Sequence, residues 1–507
     1  MSTELESPGD DALVATGVAG LDEILGGGLT PHRVYLLEGN PGSGKTTLAL
    51  RCLLEGVRLG ESVLYITLSE TKVELAAVAK SHGWSLEGVP IVELVAQEAE
   101  LEADNQFAMF ETSEMELGVT TRAILAEVGR LKPVRVVVDS LSEMRLLAQN
   151  ALRYRRQILA LKQFFIGRRC TVLLLDDKTG EAQDLQLQSI AHGVICVEQL
   201  SPEYGAERRR LRILKLRGQR YRGGYHDFKI IRGGLEVYPR LVAAEHPDDD
   251  AEIVQLKSGV AEVDALLGGG LEFGTCALLI GPAGSGKSSL TVQFAKAAAD
   301  AGIRAAVFAF DERRQTLLRR SKTLGMDLSG PLKAGTLTVQ QVDPAELSPG
   351  EFAHEVRRAV EGEDGGPGAR VVVIDSLNGY MNAMPEERFL TAQLHELLTY
   401  LGNKGVATFL VVAQHGLVGH QMMTPVDTSY VADVVILFRF FEAKGRVRKA
   451  LSVIKKRIGR HESTIREYQM SRRGIEVGEP LVQFQGILTG TPAFIGPAEP
   501  LLGDSDE

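Results

Sequence analysis

Gly39-Asn40-Pro41-Gly42-Ser43-Gly44-Lys45-Thr46 fits G-x-x-x-x-G-K-[ST] without a mismatch. The apolar run Val34-Tyr35-Leu36-Leu37-Glu38 before it reads as a buried strand, and Thr47-Leu48-Ala49-Leu50-Arg51-Cys52-Leu53-Leu54 after it reads as a helix. Strand, glycine-rich loop and helix in that order form the context a phosphate loop needs. The glycines let backbone N–H groups turn inward around phosphate oxygens, and the helix N-terminus adds positive potential. Lys45 is expected to reach the β- and γ-phosphates of a nucleoside triphosphate, and Thr46 to hold Mg²⁺. Thr47 falls in the same binding set.

The motif recurs as Gly281-Pro282-Ala283-Gly284-Ser285-Gly286-Lys287-Ser288, after Ala277-Leu278-Leu279-Ile280 and before Ser289, an offset of 242 (281 − 39). The same offset relates Asp22 to Asp264, Gly26-Gly27-Gly28 to Gly268-Gly269-Gly270, and Glu70 to Glu312. An ungapped register from about Thr16 to Glu70 implies a duplicated domain. The expected division is a first domain over residues 13–244, a second over 253–488, and a flexible Pro/Gly-rich tail over 489–507. Residues 1–12 and the acidic stretch 245–252 are read as disordered and as a solvated linker.

Composition bounds the function class. With 507 residues, 44% apolar and 24% charged, the chain is an ordinary globular protein, and two domains suit the length. A net charge of −10 argues against bulk nucleic-acid or anionic-membrane binding. The four cysteines, Cys52, Cys170, Cys196 and Cys276, form no C-x-x-C pair and sit in apolar runs, as buried thiols in a reducing cytoplasm would. No signal peptide or membrane span is expected.

Within the first copy, strands are predicted at Ser62–Leu68, Ile91–Val95, Val134–Asp139 and Thr171–Leu175, with helices at Val73–His82, Thr121–Leu131 and Ala151–Ile166. Gln97–Gly118 reads as acidic and irregular, and Gly193–Tyr238 as strands with turns. The second copy repeats the order, with strands at Ala305–Phe310, Val371–Asp375 and Val431–Phe438, and a loop at Gly362–Gly368. Strands alternating with helices give an α/β fold, a mostly parallel sheet with helices on both faces.

Four further groups carry chemistry. Asp139 and Asp375 end apolar strands, where a carboxylate beside a phosphate loop can hold the metal's water shell. Glu70, and Asp311 with Glu312, stand at the C-terminal end of the second strand of each copy and are candidates to orient or deprotonate an attacking water. A helix cap is the plainer reading of those acids. Lys215 with Arg217, and Lys455 with Arg457, close the two copies as basic pairs. They are either a solvated strand face or cations inserted by a neighbouring subunit at the γ-phosphate, which requires a ring.

Taken together, the two phosphate loops, the G-x-x-x-L-D-x-x-L-G-G-G-like segments, Lys215-Leu216-Arg217-Gly218 and Ile465-Arg466-Glu467-Tyr468 resemble the KaiC family over residues 16 to about 484. The resemblance implies two tandem RecA-like P-loop NTPase domains, ATP and Mg²⁺ as ligands, and a double-ring homohexamer with ATP at subunit interfaces. It implies a slow ATPase in the N-terminal ring and serine/threonine autokinase activity in the C-terminal ring. The family's acid pair is matched by Asp311-Glu312, whereas Ser69 precedes Glu70 in the first copy. The phosphosite segment is matched by residues 424–433, with Ser429 on the first site, Thr428 as a lesser acceptor, and Tyr430 in place of the second hydroxyl residue. A KaiB-like partner or a downstream signalling protein would suit the family. The short tail is unlike the family's activator-binding tail, and Gln97–Gly118 is unlike its partner loop. The competing reading is a RecA-, RadA- or DnaB-like DNA-dependent ATPase, disfavoured by the acidic charge and by the lack of a basic loop with interleaved aromatics. A third is an ATP-binding hub with little turnover.

Overall fold

The computed structural model describes residues 12–94, 109–148, 150–178, 185–202, 205–247, 254–343, 345–362, 366–382, 390–414, 432–443, 445–488 and 492–496, with backbone alone for 109–116, 185–186 and 382. The chain divides into two compact units, Met1–Arg240 and Leu241–Glu507.

In the first unit nine strands stand in the spatial order Ile91–Glu93, Val63–Thr67, Arg135–Asp139, Thr171–Asp177, Val34–Gly39, Gly193–Leu200, Arg208–Leu216, His226–Ile231, Gly234–Tyr238. The first six are parallel and the last three antiparallel. The second unit repeats this order with Leu337–Gln341, Ala305–Ala309, Val371–Asp375, Ala407–Ala413, Cys276–Gly281, Val434–Ala443, Arg446–Lys456, Arg466–Ser471 and Gly474–Pro480. Both sheets are thus the mostly parallel, helix-flanked α/β layers expected of tandem RecA-like domains.

The central strand shows why. Val34 and Leu36 enter one apolar cluster while Tyr35 and Leu37 enter another, so alternation buries both faces. In the second unit Cys276, Leu278 and Ile280 go to one cluster and Ala277 and Leu279 to the other. Helices Lys45–Arg58 and Lys287–Asp300 follow these strands directly.

Element limits differ from expectation in places. The helix expected from Thr121 starts at Met109, so 109–118 are helical rather than irregular, while 95–108 lie outside the described residues. A helix at Leu141–Ala148 was not anticipated; it opens straight after Ser140. The strand expected from Val431 begins at Val434 and runs to Ala443. The chain passes to the second unit at Leu241, and Ala243 is buried there. Its N–H is donated to Glu396 Oε2, and Asn403 donates to the carbonyl of His246. Among the described residues no helix is long and apolar enough to cross a membrane.

Candidate functional site

Each phosphate loop leaves the end of a central parallel strand, at the crevice where such sheets bind ligands. Gly44 and Gly286 sit at φ +100° and +104°, and Gly42 and Gly284 at +77° and +75°. Residues with side chains resist that left-handed conformation. Space forbids a side chain too: a Cβ on Gly39 would lie 2.2 Å from the Val197 carbonyl oxygen, and one on Gly281 2.7 Å from that of Phe438. Ser43 Oγ and Ser285 Oγ are buried with no protein partner, the same orphan in both loops. Thr47 and Ser289 are buried at the start of the helices.

In the first unit the Lys45 ammonium donates to the carbonyls of Gly39 and Asn40, 2.9 Å each, and pairs with Asp177 Oδ1 at 2.7 Å. Thr46 Oγ1 donates to Asp139 Oδ2 at 3.1 Å, and the buried Tyr65 hydroxyl donates to the same oxygen at 2.5 Å. Burial raises the Asp139 pKa, against those two hydrogen bonds. Glu70 stands on the loop after Val63–Thr67; its backbone bonds Thr67 Oγ1, while Oε2 is buried without a hydrogen-bond partner. Burial, then the charges of Asp139, Glu74 and Asp177, raises its pKa above the ordinary 4.5.

In the second unit Lys287 donates to the carbonyls of Gly281 and Pro282 at 2.7 and 2.8 Å. Burial pushes its pKa down to about 8, against the attraction of Asp375. Ser288 hydrogen-bonds Asp375, whose own pKa burial raises. Glu312 is gripped by Arg320 through both carboxylate oxygens, at 2.8 and 3.2 Å, and Arg320 also donates to Ser289 Oγ at 2.6 Å. Asp311 accepts a hydrogen bond from Ser376. Gly284, Gly286, Lys287, Ser288, Glu312 and Arg320 line a cavity of about 590 Å³.

The two basic pairs lie elsewhere. Lys215 is paired in register with Val194, three residues before Val197, the neighbour of Gly39. It therefore lies roughly 10 Å along the sheet from its own phosphate loop. Lys215 and Arg217 donate to the Ser189 carbonyl at 3.3 and 3.2 Å. Lys455 donates to the Ala432 carbonyl at 2.7 Å and Arg457 pairs with Asp433 at 3.3 Å, at the matching end of the second sheet. Ser429, Thr428 and Tyr430 lie outside the described residues. Sequence reasoning missed Tyr65, Asp177 and Arg320. Asp177 alone carried a signal, an acid ending an apolar strand as Asp139 does.

The family model for the KaiC ATPase matches residues 14–242 and again 256–482. The circadian clock oscillator protein KaiC of Thermostichus vulcanus is 26% identical over 488 residues, 95% of this chain and 92% of its own. The circadian clock protein KaiC3 of Synechocystis sp. is 25% identical over 500 residues, 96% of this chain and 95% of its own. The KaiC of Synechococcus elongatus is 25% identical over 505 residues, covering 97% and 95%.

Proposed function

The chain belongs to the KaiC family of ATPases, and from that premise we propose that it binds ATP at both phosphate loops, hydrolyses it at the first, and uses it at the second for autophosphorylation within a double-ring hexamer. The observation carrying this reading is the repeated constellation of loop lysine, loop hydroxyl and strand-end carboxylate: Lys45, Thr46 and Asp139, then Lys287, Ser288 and Asp375.

Hard oxygen donors, one hydroxyl and one carboxylate per site, suit a small divalent cation that keeps most of its water and takes phosphate oxygens. Thr46 with Asp139, and Ser288 with Asp375, would hold Mg²⁺, which when bound neutralises phosphate charge. Lys45 and Lys287 bind the β- and γ-phosphates. Glu70 takes the proton of a water attacking the γ-phosphorus, and its burial gives it the higher proton affinity that favours a base. In the second site the attacking group is a hydroxyl, with Ser429 the first acceptor and Thr428 the lesser. Asp311 and Glu312 are the local carboxylates that can take its proton.

A ring is supported by the basic pairs. Lys215, Arg217, Lys455 and Arg457 sit at the sheet ends away from their own loops, so the γ-phosphate in their reach is a neighbour's. The relatives' clock names favour a timing or signalling output, with a KaiB-like protein or a downstream signalling protein as partner, in the cytoplasm. Native and peptide mass spectrometry after incubation with ATP and Mg²⁺ tests the proposal. A six-fold mass with phosphate in 424–433 is expected. A monomer with ATP bound would remove the ring, and an unmodified 424–433 would leave an ATPase without the kinase role.

A further inference from the structure

The strand that opens at Thr171 runs on to Asp177, and its register sets Asp177 beside Gly39, where the phosphate loop begins. Alternation sends consecutive acids to opposite faces. Asp176 turns to Arg145, 2.6 Å away, and Asp177 turns to Lys45, 2.7 Å away. An ammonium has three protons to donate. Gly39 O, Asn40 O and Asp177 Oδ1 take all three from Lys45, whose side chain is 7% exposed.

Among the described residues, the second unit lacks this arrangement. The residue in register with Gly281 is Ala413, whose methyl group accepts nothing, and Lys287 has the carbonyls of Gly281 and Pro282. At this register position the two sheets differ by Asp177 against Ala413. The aspartate also offsets another difference. The second unit has Asp311 ahead of Glu312, whereas the first has Ser69 ahead of Glu70; Asp177 restores a second carboxylate to the first site from a neighbouring strand.

We propose that Asp177 is a latch on the phosphate-loop lysine of the first site, a positioning residue that lowers that site's affinity for nucleoside triphosphates relative to the second. This rests on the reading of Gly39–Thr46 as an ATP site. A phosphate oxygen reaching Lys45 must take the place of the Asp177 carboxylate. The displaced carboxylate then remains close to the phosphate and to Asp139 and Glu70, which share its sign. Both effects oppose binding.

The test uses the full-length protein carrying Lys287→Ala, so that the first site alone reports, with a fluorescent N-methylanthraniloyl ATP and Mg²⁺ as the probe. Asp177→Asn should tighten binding by about tenfold and lower KM for ATP by a similar factor. Asp177→Glu should keep the parent affinity. In a Lys45→Ala protein, Ala413→Asp should weaken the second site, which tests the latch without touching the first unit. Unchanged or weaker binding in Asp177→Asn, or an unaffected second site in Ala413→Asp, would overturn the proposal. Failure of the parent Lys287→Ala protein to bind the probe would instead overturn the ATP-site reading, and the latch with it.

Discussion

Glu312 and Arg320 form a two-pronged ion pair, Oε2 to Nη2 at 2.8 Å and Oε1 to Nε at 3.2 Å. The position matching Arg320 in the first unit, 242 residues earlier, is Val78, and Glu70 has a buried oxygen without a hydrogen-bond partner. The duplicated sites therefore hold their common glutamate in opposite ways. One is fixed by a cation bonded to both its oxygens, and the other is crowded by Asp139 and Asp177.

Both Glu312 oxygens accept from the Arg320 guanidinium, so the pair must open before the carboxylate can take a water's proton. Arg320→Val should therefore raise water-driven ATP hydrolysis at the second site by roughly tenfold, a modest part of what general-base catalysis supplies. Phosphate release by a Lys45→Ala protein, with and without Arg320→Val, measures it. A fall in turnover would mean that Arg320 serves the phosphates instead.

The raised pKa of Glu70 gives a pH signature. As base it must be ionised, so first-site turnover should fall on the acid side at a pH above the ordinary 4.5. The stability effect has the opposite sense. Folded Glu70 keeps a proton that the unfolded chain has released, so its contribution is present below pH 4.5 and is lost as pH rises through the folded value. Glu70→Gln should thus abolish most turnover of the Lys287→Ala protein and flatten the acid limb, while Tm at neutral pH stays level or rises. Loss of activity together with a lower Tm would point to a structural role.

Lys215→Ala and Arg217→Ala test the ring by kinetics. Cations supplied across an interface contribute about 10³–10⁵ in turnover in related phosphoryl transfers. Each substitution should cut first-site hydrolysis steeply in the Lys287→Ala protein, although each residue lies at the far end of its own sheet from Gly39. Normal turnover in both would assign these residues to the strand surface.

The triple-glycine turn of the second unit offers a stability test. Lys456 pairs with Glu272 at 2.8 Å, their side chains 1% and 4% exposed, and also donates to the carbonyls of Leu267 and Gly270. Removing one partner leaves a buried charge, so Glu272→Leu should cost about 3–5 kcal/mol. Adding Lys456→Met should restore much of it, because an apolar pair of similar volume replaces both charges. Thermal and denaturant unfolding of the two variants measures the difference.

Much of the fold was legible because the physics that sets it is local. Val34–Glu38 and Ala277–Ile280 are apolar throughout, as strands buried on both faces must be, and the glycines that follow demand positive φ. The site's common residues came from the same motif and its repeat. What the sequence hid depends on strand order. Tyr65 meets Asp139 only because Val63–Thr67 lies beside Arg135–Asp139, and Asp177 meets Lys45 only because Thr171–Asp177 lies beside Val34–Gly39. Arg320 sits in the helix that follows Glu312, on an exposed-looking polar stretch where a charge is ordinarily solvated. The helix at Leu141–Ala148 follows the strand with no turn signal between.

The central claim, that the chain turns over ATP at its two phosphate loops, is met most directly by phosphate release from the full-length protein with Mg²⁺ and ATP. Wild type should hydrolyse ATP, Lys45→Ala should lose most of the rate, Lys287→Ala should keep most of it, and the double variant should release none. A double variant as active as wild type would contradict the account.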